Sequence, residues 1–190
     1  MNEKNNTGPV RGYTKLSDAA RSFNFDFRDK TVLDIGSSTG GFTKYALERG
    51  AKKVVAVEKG TNQMMRPLRF NKKIELHEKT DIFNFKTNEK IDIILADVSF
   101  LSLTKVLDYA KANLSDKKTE YLVMLKPQFE AKPDELNKGV VKNEKVRRKI
   151  IKNFETYLKK TGFIIKNKHD NLLKGKSGNQ ERFYYLMLAK

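Results

Sequence analysis

Residues 31–41 read T-V-L-D-I-G-S-S-T-G-G, a short apolar run that breaks at an acid and two glycine sites and resumes as F-T-K-Y-A-L. Val32, Leu33 and Ile35 have the pattern of a buried strand, and Phe42, Tyr45 and Ala46 recur at helical spacing. The stretch is strand, glycine turn, helix. Gly36 and Gly40 carry no Cβ where the backbone turns, so a ligand can approach the main chain and the free N–H groups at the helix start.

The details of the turn decide which ligand. A dinucleotide fingerprint G-x-G-x-x-G counted from Gly36 needs glycine at positions 38 and 41, and Ser38 occupies the first of these. The nicotinamide reading fails there. Asp34 instead precedes Gly36, and Glu58 closes the next apolar run 22 positions after that glycine, where an acid can accept from ribose hydroxyls. An adenosine-containing cofactor is the expectation. The turn alone leaves open the plainer reading of a packing device.

The other apolar runs extend the pattern. Residues 53–57, 74–77, 91–96 and 121–125 read as strands, and residues 62–68 as a short helix limited by Pro67. Leu16, Ala19, Ala20 and Phe23 form an amphipathic helix with Lys15 in its first turn, off the apolar stripe, where a lysine is ordinarily solvated. Leu103, Val106, Leu107 and Ala110 form another helix, and Val146, Ile150, Ile151, Phe154, Tyr157 and Leu158 a long one. The opposite face of the long helix carries Lys145, Arg147, Arg148, Lys149 and Lys152 and reads as a solvated basic face. Residues 163–165 and 183–188 read as closing strands, and residues 131–143 as a loop.

Alternating strands and helices imply an α/β fold: a mostly parallel sheet with helices on both faces and an antiparallel closing strand. Ligands bind such sheets outside the carboxyl ends of the strands. Asp34, Glu58, Asp97 and Lys126 all fall at strand ends, with Lys126 held by the Pro127 that stops its strand. Asp81, just past a strand, can take an adenine amine or cap the following turn. The candidate cofactor contacts are Asp34, Gly36, Ser37, Ser38, Thr39, Gly40, Gly41 and Phe42 around the turn, then Glu58 and Lys59, Asp81 and Ile82, and Asp97.

At 190 residues the chain suits one domain, taken as residues 11–190 behind a polar tail of residues 1–10. The absence of cysteine excludes disulfides and thiolate chemistry, and two histidines make a zinc centre unexpected, so no metal is expected. No apolar run approaches a membrane span and no secretory signal opens the chain, which points to a cytoplasmic protein without a membrane partner. The formal charge of +16 attracts polyanions, nucleic acid above all. The oligomeric state is not legible.

The motifs D-I-G-S-S-T-G-G-F-T, R-G-A from Arg49, A-D-V-S-F-L-S-L, L-K-P-Q-F-E, K-G-V-V and S-G-N-x-E resemble those of the hemolysin A (TlyA-type) family. That family is among the FtsJ-like ribose 2′-O-methyltransferases, with a Rossmann-like fold. The resemblance runs from about Gly12 onward and implies S-adenosylmethionine as cofactor, ribosomal RNA or a ribosomal subunit as partner, and a Lys-Asp-Lys-Glu tetrad. Carried onto the matching motifs, the tetrad is Lys15, Asp97, Lys126 and Glu181. The usual family pattern S-R-G-x-x-K-L is matched only in part by V-R-G-Y-T-K-L before Lys15, and the family's usual N-terminal RNA-binding module is not expected here.

The tetrad makes chemical sense. A sulfonium methyl is already activated, so an enzyme need only align the ribose oxygen and remove its proton, and a lysine serves as base when neutral. The expected RNA surface is Arg11, Arg21, Lys174, Lys176 and Arg182. An amino-group methyltransferase would show a proline-containing acidic turn after the fourth strand, which Asp97-Val98-Ser99-Phe100 lacks. A non-catalytic RNA-binding module accounts for the charge but not for Lys126 and Glu181, and the hemolysis in the family's name calls for membrane-active segments that the sequence does not show.

Overall fold

Alternation along the strands decides the layering. Val32, Val54, Ile93, Leu95, Leu122 and Met124 pack on one side of the sheet, while Leu33, Ile35, Val55, Ile94, Ala96 and Val123 pack on the other. Both sides are apolar because both are covered by helices, as a parallel sheet requires. The computed structural model describes residues 11–175 and 177–189. Along the chain they form α1 (Arg11–Ser22), β1 (Thr31–Ile35), α2 (Gly41–Glu48), β2 (Lys53–Val57), α3 (Arg66–Arg69), β3 (Ile74–His77), β4 (Ile93–Ala96), α4 (Leu103–Asn113), β5 (Glu120–Leu125), α5 (Glu144–Lys160), β6 (Phe163–Asp170) and β7 (Arg182–Leu188).

The strand order is β3-β2-β1-β4-β5-β7-β6. The first five strands are parallel, and β7 runs antiparallel between β5 and β6. The order reverses between β1 and β4, which makes that crevice the expected ligand site. α1 and α2 cover one face through Leu16, Ala19, Phe42 and Tyr45, and α4 and α5 cover the other through Leu103, Leu107, Phe154 and Leu158. The leucine and phenylalanine side chains among these contribute about 1.5–3 kcal/mol each by leaving water.

The sequence reading needs correction in several places. The expected helix over residues 62–68 is only Arg66–Arg69, and Pro67 lies in its first turn, so the proline starts the helix rather than limiting it. β4 begins at Ile93 rather than at residue 91, and the Asp92 carboxylate just before it accepts from the Thr31 N–H at 2.9 Å. β6 extends to Asp170, well past residue 165, since β7 pairs with it throughout. α1 starts at Arg11, so Lys15 sits in its second turn and is buried with Leu16 and Ala19 rather than solvated. Arg147 is likewise buried on α5, apart from the exposed basic face assigned to it. The tail, residues 1–10, lies outside the described residues.

Candidate active site

Loops leaving β1, β2 and β4 meet over one cavity. Gly36 follows β1 with φ of 79°, and a Cβ built there would lie 3.1 Å from the Asp97 carbonyl oxygen that follows β4. Only glycine allows the two strand exits to approach so closely. The cavity is about 530 Å³ and is lined by Gly36, Ser38, Glu58, Asp81, Asp97 and Phe100, among others. A larger concavity of about 830 Å³ lies along α5 and β6, away from the glycine turn and its acids.

The carboxylates around the turn have distinct tasks. Glu58 accepts from the Ser38 N–H at 2.9 Å through one oxygen and from the Gly60 N–H at 2.7 Å through the other, tying the β2 exit to the glycine turn. Asp81 accepts from the Phe83 N–H at 3.1 Å, capping the turn Ile82–Asn84, and its other oxygen lies 3.0 Å from Lys59 Nζ. The Lys59 hydrogen bond leads the effects that hold the Asp81 carboxyl below its usual value. Asp34 is fully buried in β1, and burial pushes its carboxyl up to about 7, against the hydrogen bond donated by Thr43 Oγ1 at 2.6 Å. Its second oxygen and Ser37 Oγ are buried without a hydrogen-bond partner.

Of the residues assigned to the cofactor, Gly36, Ser38, Glu58, Lys59, Asp81, Ile82 and Asp97 line the cavity. Asp34 and Ser37 lie buried beneath the turn. Thr39 faces solvent, its carbonyl accepting from the Met65 N–H at 3.2 Å, and Gly40 is the left-handed cap of α2. Gly41 and Phe42 are packing residues: a Cβ on Gly41 would lie 2.7 Å from the Tyr13 nitrogen, and Phe42 packs 5.9 Å from Phe183 between ring centres. Gly41 thereby lets α1 settle against α2 with Lys15 facing inward.

Beside this cavity the four residues of the tetrad come together as two ion pairs. Lys15 on α1 pairs with Glu181, which directly precedes β7, and their side chains are 7% and 3% exposed. Lys126 follows β5 and places Nζ 2.6 Å from Asp97 Oδ1, while donating to Ser99 Oγ at 3.0 Å. Burial pushes the Asp97 carboxyl up, Lys126 and Lys15 pull it down, and Glu181 adds to the rise, so all four charges share one electrostatic neighbourhood. The turn Pro127–Phe129 begins immediately after Lys126 and is anchored by Glu130, whose carboxylate accepts from the Leu103 N–H at 2.6 Å and from Ser102 Oγ at 2.7 Å at the start of α4.

The sequence reading did not assign three further residues. Asn179, buried, accepts from the Val141 N–H and donates to the Gly139 carbonyl, both at 2.9 Å, fastening K-G-V-V to the S-G-N-x-E segment. Its own carbonyl receives the Gly175 N–H at 2.7 Å, and a Cβ on Gly175 would lie 2.8 Å from Glu181 Oε1. Phe100, at the cavity, is 89% exposed and holds φ of 63°, a left-handed conformation costly for an aromatic residue. Nothing in residue type alone signals that conformation.

The residues assigned to RNA divide. Arg11 donates to the Lys174 carbonyl, so these two join at the mouth beside Lys15 and Glu181, and both remain exposed. Arg21 is exposed in the last turn of α1. Arg182 is instead held by Asp170 through bonds of 2.6 and 3.0 Å, which occupies the guanidinium expected to face RNA. Lys176 lies outside the described residues. Among the described residues no helix is long and apolar enough to cross a membrane, and no group of three or more acids and histidines could hold a metal.

Known proteins are similar to this chain in sequence and fold. The sequence profile of the FtsJ-like methyltransferases matches residues 9–188. The chain is 43% identical over 179 residues to the 23S rRNA (cytidine-2′-O)-methyltransferase TlyA of Campylobacter jejuni, a match covering 92% of this chain and 69% of that protein. It is 34% identical to Hemolysin A of Brachyspira hyodysenteriae over 94% of this chain and 76% of that one. A solved Streptococcus thermophilus structure that carries the hemolysin name superposes with a TM-score of 0.91 at 30% identity, covering all of this chain and 70% of its own. The sheet order, the glycine turn and the profile agree on a Rossmann-like methyltransferase fold, and the chain belongs to the FtsJ-like methyltransferase family.

Proposed function

We propose that the chain transfers a methyl group from S-adenosylmethionine to a ribose 2′-hydroxyl of ribosomal RNA. The observation that carries this reading is the meeting of two lysine–carboxylate pairs, Lys126–Asp97 and Lys15–Glu181, beside a cavity at the sheet's switch point. A module that only binds RNA has no use for a buried ion pair, because desolvating two charges costs more than an apolar pair in the same place. The name of the Campylobacter relative, a 23S rRNA (cytidine-2′-O)-methyltransferase, supports the same reaction class.

The cavity suits the cofactor. Its size and the missing Cβ at Gly36 leave room at the turn, and Glu58 stands where a ribose acceptor belongs. Gly36, Ser38, Glu58, Asp81 and Asp97 would hold it. Bound there, it supplies a methyl group activated by its sulfonium.

The chain's own residues do the rest. Lys126 is the base once the ammonium it holds against Asp97 has released a proton to solvent: the neutral Nζ then takes the proton of the 2′-hydroxyl. Asp97 and Ser99 fix the direction of that amine. Lys15, anchored by Glu181, orients the ribose hydroxyl, and alignment of this kind is worth much of the barrier. Phe100 offers an exposed π face for the base of the same nucleotide.

The test is methyl transfer from labelled S-adenosylmethionine to intact ribosomal subunits and to naked rRNA. The product is expected to resist alkaline cleavage at the modified nucleotide, because that cleavage needs a free 2′-hydroxyl. Label that enters a base, or no transfer to any ribosomal substrate despite cofactor binding, would refute the reading.

A further inference from the structure

We infer that the groove between α5 and β6 is a docking track for the phosphodiester backbone of the RNA strand that leaves the target nucleotide. The inference rests on the RNA methyltransferase reading above and assigns that RNA a second surface. Along the groove Arg148, Lys152 and Lys159 project from one exposed stripe of α5, four and then seven positions apart, over about 16 Å. Lys168 stands on the β6 wall. Six basic side chains line the groove against two acidic ones, Glu144 and Glu155.

A merely solvated basic face does not have this construction. The surface is concave, about 830 Å³, and its floor is rigid: Asp170 lies 2.6 Å from both Arg147 and Arg182, and Tyr184 donates to Glu155 at 3.0 Å. Those floor cations are already paired. Arg148, Lys152 and Lys159 form no ion pair among the described residues, so their charge is directed at whatever enters.

Position ties the groove to the chemistry. Arg182 directly follows Glu181 of the tetrad, and Arg147 Nε donates to the Gln180 carbonyl at 3.3 Å. The groove therefore opens at the carboxyl end of the strands but on the α5 face of the sheet, and an RNA strand reaches it from Lys15 and Glu181 on the α1 face by crossing that end before following α5. A strand seated with its target ribose at Lys126 and Lys15 meets the Arg147–Arg182 end next. Phosphates are the charge-complementary occupant, and their contacts carry position rather than sequence.

The experiment uses the triple variant Arg148→Glu, Lys152→Glu, Lys159→Glu in the full chain, with a milder set of three glutamines beside it and a thermal melt for both. Affinity for an rRNA fragment that the unaltered protein methylates is followed across salt, together with KM for that RNA and affinity for S-adenosylmethionine. The expected result is a log–log salt slope shallower by about 2, three contacts at about 0.7 each for single strands, and a KM raised about 10-fold or more. Cofactor affinity stays unchanged. Salt slope and KM equal to the parent in either folded variant overturn the inference, as does unchanged RNA binding with loss of binding to a polyglutamate probe. If the unaltered protein transfers no methyl group, the methyltransferase reading itself fails; if it does and the variants are indifferent, only the groove is wrong.

Discussion

Asp34→Asn isolates a strongly perturbed, fully buried acid. The Asp34 carboxyl is completely buried, and burial raises it from 3.8 to about 7. Below pH 3.8 both folded and unfolded chains hold the proton, and the group is neutral toward stability. Between about 4 and 7 the unfolded chain ionises first, so the folded state is the one holding extra protons and stability falls as pH rises. The shift of about 3 units at 1.36 kcal/mol each gives a loss of about 4 kcal/mol, complete above pH 7. Asparagine keeps an oxygen for the bond from Thr43 Oγ1 and has no such proton to lose. The difference in unfolding free energy between variant and parent, from urea titrations at pH 4 and pH 8, should move by about 4 kcal/mol in the variant's favour on going to the higher pH. A difference that is flat across that window would show that Asp34 titrates normally and that its burial has been misjudged.

Three other substitutions probe the site. Phe100→Ala should weaken RNA binding by about 5- to 150-fold, the value of one stacked base, and a titration showing unaltered RNA affinity would remove the aromatic from substrate contact. Gly175→Ala puts a methyl group 2.8 Å from the Glu181 carboxylate and should slow methyl transfer in a cofactor-binding protein; full activity would mean the Lys15–Glu181 pair does not need its present geometry. Asn179→Ala strands the Val141 N–H and Gly139 carbonyl and should cost about 2 kcal/mol, or ~4–8 °C in a thermal melt, whereas a melt matching the parent would deny the clasp any structural weight.

Much of this was legible in the residues, and the reason is periodicity. β2 and β3 emerge with their sequence-read bounds because apolar runs between turn residues have little else to do, and Pro127 marked the end of β5. The tetrad was legible only through the family motifs, since Lys15 and Glu181 are 166 positions apart and nothing local to Lys15 reveals that it turns inward. Composition also misled. Pro67 reads as a stop yet starts α3, and Arg147 reads as part of a solvated basic face although it is buried and Asp170 binds it. That pairing is a tertiary contact, which no short window contains. The left-handed backbone of Phe100 is a tertiary imposition and leaves no trace in residue type.

The central claim is that Lys126 removes the proton of the ribose hydroxyl. Single-turnover methyl transfer by Lys126→Ala tests it most directly, with cofactor affinity and a thermal melt measured on the same protein. Losing a positioned base lowers the rate by about 100- to 10,000-fold, while cofactor affinity, which the proposal assigns to the glycine turn and Glu58, changes little. Transfer near the parent rate by a folded, cofactor-binding Lys126→Ala protein would contradict the account.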